Sequence, residues 1–379
     1  MENQRKIRVL IVDDSALVRK IMSESLAPFY EIEVVGTASD PYIARDKILS
    51  LNPDVLTLDI EMPRMDGITF LKLIMKHRPM PVIVVSSLTQ AGSSRALEAL
   101  QSGAVDVLAK PSGSYSAHED GTKLAEKIKA AALARLGRRF SAPPASPPRS
   151  SPKTPLVSPR VTVPSPAPPV PSSPAAGHRQ YDPRTLILMG ASTGGTEALK
   201  HILTALPGDL PGICIVQHIP AYFSQAFANR LNELCQFRVQ EARQGDRVSP
   251  GLALVAPGGQ HMVLRWINNG YQVDLNERPM VHHQRPAVDV LFDSAVKAGA
   301  APHSLAILLT GMGADGAAGL LNLHQAGTTT IAQNEETCVV FGMPREAIRM
   351  GAAQLILPLD QIAGRMDRFA AEKAVFSRP

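Results

Sequence analysis

Disulfide chemistry, a membrane span and a basic nucleic-acid face are all missing from this sequence. Its 379 residues hold three cysteines, Cys214, Cys235 and Cys338, widely spaced and without a CxxC pair. That excludes a disulfide framework and a thiolate zinc site. No uninterrupted apolar run approaches the length a bilayer requires. The opening "MENQRKIRVLIVDDS" turns straight into a strand pattern, without the apolar stretch and small-residue cleavage site of a signal peptide. A cytoplasmic location without direct membrane insertion is the expectation. The formal charge is +5, but residues 141–180 supply most of it through Arg149, Lys153, Arg160 and Arg179, with no acid. The flanking regions are nearly neutral, so nucleic acid is not an expected partner.

What the chain has in excess is proline, and it is concentrated. The same 40-residue stretch carries 13 of the 32 prolines, a composition that buries little apolar area and lacks backbone donors. It reads as a semi-extended linker, with a ligand for an SH3-type domain as the less favoured reading of its PxxP pattern. The length suits two domains. The expected division is a first domain over 1–137, a linker over 138–181 and a second domain over 182–379.

In the first domain "RVLIVDD", "EVVGTA", "DVLTLD", "PVIVVSS" and "VDVLAKP" read as five buried strands, with helical spacing between them, as at Leu17, Val18, Ile21 and Met22. Such alternation predicts a doubly wound, flavodoxin-like parallel sheet with ligands at the strands' carboxyl ends. In the order 2-1-3-4-5, strands one and three are neighbours. Asp13 and Asp14 then meet Asp59 at one edge, where three carboxylates call for a cation, and oxygen-only ligands favour Mg²⁺. Ser86 and Lys110 add a hydroxyl and an ammonium to that edge. A carboxylate nucleophile, a metal and a fixed lysine are the parts of phosphoryl transfer to an aspartate. Strand-end acids that merely cap helices are the plainer alternative, disfavoured by "DD", "LDIEMPRMDG", "VSS" and "KP" occurring in order. Residues 5–130 thereby resemble the receiver domains of two-component response regulators. The resemblance implies that Asp59 accepts the phosphoryl group. It also implies that Asp14 and Asp59 bind Mg²⁺ with the Glu61 carbonyl, and that Asp13 acts nearby. Ser86 would follow the phosphoryl group on switching, and Lys110, before a cis-Pro111, would contact it.

Beyond the linker, "TLILMG", "GICIVQH", "SLAILLTG", "TTIAQN" and "LILPL" predict a larger, mainly parallel α/β domain. Gly and Asn-Gly punctuation over 247–275 suggests antiparallel hairpins. "GASTG" at 190–194 fits G-x-S-x-G, the strand-to-helix turn that exposes a serine oxygen. A dinucleotide loop competes, but the central glycine and the acid closing the next strand are missing. That next strand ends in His218, a candidate general base. "LLTGMGADG" places Asp315 after another strand, where it could orient the imidazole. The amides of Thr193 and Met312 are candidate oxyanion donors. "HHQRPAVDVLFDSA" (282–295) reads equally as cleft rim or solvated surface.

A receiver followed by "GASTGG", "VQHIP", "TGMGADG" and "AQNEETCVVFGMPREAI" resembles the chemotaxis protein-glutamate methylesterases. The resemblance implies that Ser192 attacks a γ-glutamyl methyl ester on a chemoreceptor helix, with His218 as base and Asp315 orienting it. Deamidation of receptor glutamines would follow the same acyl-enzyme route, with no cofactor for the esterase. Chemoreceptors are then the substrates and a chemotaxis histidine kinase the phosphodonor. A catalytically inactive scaffold behind the receiver would have lost one of Ser192, His218 or Asp315, and all three are present. A DNA-binding output would be a small helical domain with a basic helix, absent here.

Overall fold

A computed structural model of the chain describes residues 5–87, 89–110, 117–135 and 179–375. The proline-rich stretch and Pro111 lie outside the described residues.

The first sheet is built from β1 (Ile7–Val12), β2 (Ile32–Ala38), β3 (Val55–Asp59), β4 (Val82–Ser86) and β5 (Asp106–Ala109). All pairs are parallel, in the order β2-β1-β3-β4-β5. Strands covered on both faces read as continuous apolar runs, and every residue of β3 and β4 is buried. The helices are α1 (Ala16–Leu26), α2 (Pro41–Leu51), α3 (Gly67–His77), α4 (Gln90–Gln101) and α5 (Ala117–Ala132). Their starts follow local chemistry. Ser15, Asp40, Asp66 and Thr89 each accept a first-turn amide in the side chain, and Pro41 presets the first turn of α2.

The second domain runs β6 (Gln180–Tyr181), β7 (Leu186–Ala191), α6 (Gly195–Thr204), β8 (Gly212–Gln217), α7 (Phe223–Leu234), β9 (Arg238–Glu241), β10 (Leu252–Val255), β11 (His261–Trp266) and β12 (Tyr271–Asn276). It continues with α8 (Val288–Lys297), β13 (Ser304–Leu308), α9 (Ala317–Gln325), β14 (Thr329–Gln333), α10 (Met343–Arg349), β15 (Leu355–Leu357), α11 (Leu359–Lys373) and β16 (Ala374–Val375). Seven strands form one parallel sheet, β15-β14-β13-β7-β8-β10-β9. The expected hairpin is β11–β12, turned through Asn268 and Asn269 at positive φ. Leu252–Val255, from the same stretch, instead enters the parallel sheet between β8 and β9. Its "LALV" is buried along three residues, the mark of a two-faced strand and not of a half-exposed hairpin.

Chain order in this sheet sets up a crevice. β7 is flanked by β8, which follows it, and by β13, which comes a hundred residues later. This is a topological switch point, where loops leave neighbouring strands in opposite directions and open a cleft. The receiver sits over that edge. Its α4 packs on α7 and α6, joining Leu97 and Leu100 to the apolar cluster that holds Phe227 and Leu231.

Candidate active site and phosphoacceptor site

Strands β13, β7 and β8 run in step, pairing Leu308 with Gly190 and Ala191 with Gln217. Ser192 and His218 therefore follow directly after adjacent strand ends, and the loop carrying Asp315 leaves the third. The turn at Ser192 is held from three sides. Its amide donates to the Thr310 carbonyl at 3.0 Å, and its carbonyl accepts from the Gly195 amide at 2.7 Å and Gln217 Nε2 at 2.8 Å. Close approach explains two glycines here. A Cβ at Gly195 would stand 2.3 Å from Gln217 Oε1, and one at Gly311 would stand 2.6 Å from Ser192 Cβ. The Gly311 loop thus lies directly against the serine. The amides of Thr193 and Met312 beside it donate to no acceptor among the described residues.

His218 Nε2 lies 2.7 Å from Asp315 Oδ2, leaving Nδ1 as the other ring nitrogen. Ser192, His218 and Asp315 are all buried. The Asp315 carboxylate also accepts the amides of Val288 and Asp289 at the start of α8, at 2.7 and 3.0 Å. Burial acts against its charge, but the His218 bond and the two amides outweigh it and hold the carboxyl below its ordinary range. The two candidate readings of "HHQRPAVDVLFDSA" resolve in favour of the cleft. His282, His283, Gln284 and Arg285 line the same cavity as Ser192, and His282 Nε2 is 3.1 Å from the buried Asp289. Burial and the neighbouring Asp315 raise the Asp289 carboxyl.

Sequence reasoning missed Gln217 and Thr310, and did not single out Asp289 within the stretch 282–295. The Thr310 hydroxyl donates to the Thr193 carbonyl at 3.0 Å and accepts the Val340 amide at 2.9 Å, while its own amide donates to Gln333. Gln217 closes β8, Asp289 lies in the first turn of α8 and Thr310 follows β13 in the loop beside the cleft, and those positions were the available signal.

The cavity above the triad encloses about 380 Å³, and the receiver forms its other wall through Leu108, Lys123 and Glu126. One contact across the domains reaches the residue after the serine. Thr193 Oγ1 donates to Asp106 Oδ2 at 2.6 Å in a buried position, and Lys127 Nζ binds the other carboxylate oxygen at 2.7 Å. Arg135 reaches Glu335 and the Val339 carbonyl at the rim.

At the receiver's own strand edge, carboxylate oxygens of Asp13, Asp14 and Asp59 lie within 4.8 Å of one another. Lys110 Nζ is 2.8 Å from Asp59 and 3.7 Å from Asp13. Burial, then repulsion from Asp59, pushes the Asp13 carboxyl up to about 6, and its buried Oδ2 has no hydrogen-bond donor among the described residues. Burial also raises Asp59, against the pull of Lys110 and the Glu61 amide. An orphaned carboxylate oxygen among crowded acids fits a hard divalent cation. Ser86 is buried at the end of β4, and its hydroxyl donates to the Gly92 carbonyl in the first turn of α4.

Two family models match the chain: a response regulator receiver domain over residues 9–129 and the CheB methylesterase over residues 187–366. A protein-glutamate methylesterase/protein-glutamine glutaminase of Syntrophus aciditrophicus is 52% identical over 363 residues, covering 96% of this chain and 99% of its own length. The protein of the same name from Salmonella typhimurium is 48% identical, with 95% and 96% covered. The solved catalytic domain of Thermotoga maritima CheB methylesterase is 37% identical, covers 48% of this chain and 97% of its own, and superposes with a TM-score of 0.47. With a receiver sheet in front and a Ser, a His and an Asp at three adjacent strand ends behind it, the chain belongs to the family of protein-glutamate methylesterases/protein-glutamine glutaminases.

Proposed function

We propose that the protein removes methyl groups from γ-glutamyl methyl esters of chemoreceptors, and converts receptor glutamines to glutamate, under control of phosphorylation at Asp59. The observation that carries this reading is the convergence of Ser192, His218 and Asp315 at neighbouring strand ends beneath a receiver wall. His218 Nδ1 takes the Ser192 hydroxyl proton as Oγ attacks the ester carbonyl, and the tetrahedral oxyanion is stabilised by the amides of Thr193 and Met312. The intermediate collapses, His218 returns the proton to the leaving oxygen, and methanol departs. Water, deprotonated by the same imidazole, then releases glutamate and restores the serine. With a glutamine side chain the leaving group is ammonia. Asp315 fixes the tautomer and steadies the imidazolium.

In the receiver, Asp14, Asp59 and the Glu61 carbonyl would hold Mg²⁺, with Asp13 beside them. When bound, the cation neutralises phosphoryl and carboxylate oxygens during transfer to Asp59. Lys110 contacts the transferred group. The Ser86 hydroxyl turns toward it and gives up the Gly92 carbonyl of α4, the helix that packs on the catalytic domain. A chemotaxis histidine kinase is the phosphodonor. Residues 1–137 form the receiver, 138–181 the linker and 182–379 the catalytic domain, acting at the cytoplasmic side of the receptors. Methanol release from methylated receptor membranes, with and without a small phosphodonor, tests the reading. Release that needs Ser192 and rises with the phosphodonor is expected, and activity persisting in Ser192→Ala would overturn it.

A further inference from the structure

Two peptide planes beside Ser192 carry the proposed oxyanion donors, and both are anchored from behind. The plane joining Ser192 to Thr193 has its carbonyl oxygen held by the Gly195 amide at 2.7 Å and by Gln217 Nε2 at 2.8 Å. The plane joining Gly311 to Met312 has its carbonyl oxygen held by the amides of Gly342 and Met343, at 3.0 and 2.9 Å. Both planes are trans, so each N–H points opposite its carbonyl. Two donors on the carbonyl therefore set the direction of the N–H. They also polarise it, because hydrogen bonds in series strengthen one another. Three of the four anchors are backbone amides, and the fourth is a side chain. Gln217 ends the otherwise apolar strand β8, is buried, and has no donor to its Oε1 among the described residues. Leaving one end of a buried amide unpaired is costly. The bond from its other end is what that cost supports.

We propose that Gln217 is a positioning residue for the reaction: through the Ser192 carbonyl, its Nε2 aims and polarises the Thr193 amide at the oxyanion. The inference rests on the methylesterase reading and adds to it a residue that acts without touching substrate. As Ser192 Oγ bonds to the ester carbon, the carbonyl π pair moves onto oxygen and the hydroxyl proton passes to His218. Full negative charge faces the Thr193 N–H only at that stage. Gln217 therefore contributes to the transition state and little to substrate binding. A residue that merely packed β8 against the start of α6 would affect binding and turnover together.

That difference can be read in the full chain, phosphorylated with a small phosphodonor. Gln217→Met removes the donor at similar length. Its kcat for methanol release is expected to fall about tenfold, less than for a deleted oxyanion donor because Gly195 still holds the carbonyl, with KM within about twofold. The discriminating probe is a receptor-derived peptide whose glutamyl side chain ends in a trifluoromethyl ketone. Ser192 Oγ adds to its carbonyl carbon, His218 takes the proton, and the adduct oxygen remains as an oxyanion. The same peptide ending in a methyl ketone, which resists addition, reports binding without that charge. Affinity for the trifluoromethyl ketone is expected to fall about tenfold, in step with kcat, and affinity for the methyl ketone to stay within about twofold. Gln217→Asn, whose amide stops one methylene short of the carbonyl, is the milder variant and should show the same split. Equal weakening of both ketones overturns the proposal, and so do folded variants with the parent's kcat. A parent that neither releases methanol nor adds to the ketone overturns the methylesterase reading itself.

Discussion

Two aspartates sit on opposite sides of the ordinary carboxylate range, and their surroundings say why. Asp315 is buried but receives an imidazole and two amides, so its charge is retained below the usual range. The stability it contributes is present above that range and is lost as pH falls through its lowered value. Asp315→Asn removes the acceptor that sets the His218 tautomer. Such a change costs about two to four orders of magnitude in kcat, read as initial rates of methanol release, with folding largely kept. Asp13 is the reverse case. Raised to about 6, it contributes stability while protonated, fully below the ordinary range, and that stability is lost as pH rises through about 6. Near neutral pH the crowded carboxylate therefore destabilises the receiver by something on the order of 3 kcal/mol, before any cation binds. Asp13→Asn is expected to raise the melting temperature in metal-free buffer at pH 7.5 and to shrink the further rise on adding Mg²⁺. An unchanged melting temperature in both buffers would remove Asp13 from the metal site.

At the scale of elements, the active loops are set by what the neighbouring backbone excludes. A Cβ at Gly311 would meet Met343 Sδ at 2.3 Å and Ser192 Cβ at 2.6 Å, the first in α10 and the second the side chain of the proposed nucleophile. Gly311→Ala must push the loop away from the serine, taking the Met312 amide with it. The expected result is a fall in kcat of about a hundredfold, the scale of one lost oxyanion donor, with KM for receptor little changed. Ser192 and His218 were legible as candidates because each stands where a strand gives way to a loop, and Asp315 because its glycine-rich loop joins β13 to α9, positions that linear patterning marks. Gln217 and Thr310 were not, because their partners lie on segments adjacent only in the folded sheet, and Asp289 was not set apart within its stretch because α9 meets it only in the fold. The order that places β7 between β8 and β13 is written in no local stretch. Leu252–Val255 was read with a hairpin for the same reason, since turn residues flank a short strand whichever sheet it joins.

For the whole molecule, the question is which of the contacts between receiver and catalytic domain does the restraining. Arg135 and Glu335 meet across the rim, but both side chains are more than half exposed, and such pairs contribute little. The bond from Thr193 to Asp106 is buried, ends on a carboxylate and holds the residue after Ser192, the proposed nucleophile. A charge-assisted bond in that setting is worth about 1.5–3 kcal/mol, enough to shift a closed-to-open balance by tenfold or more. Asp106→Ala is therefore expected to raise methanol release by the unphosphorylated full chain about tenfold, while Arg135→Ala leaves it within about twofold. After phosphorylation at Asp59 the Asp106 variant and the parent should converge, because the contact is then already open in both. Removing Asp106 also frees Lys127, so Lys127→Met serves as the control for lost packing on that side. Convergence after phosphorylation together with a difference before it would assign the bond to the resting state. An Asp106→Ala protein as quiet as the parent would show that the apolar packing of α4 on α7 restrains the domain without it.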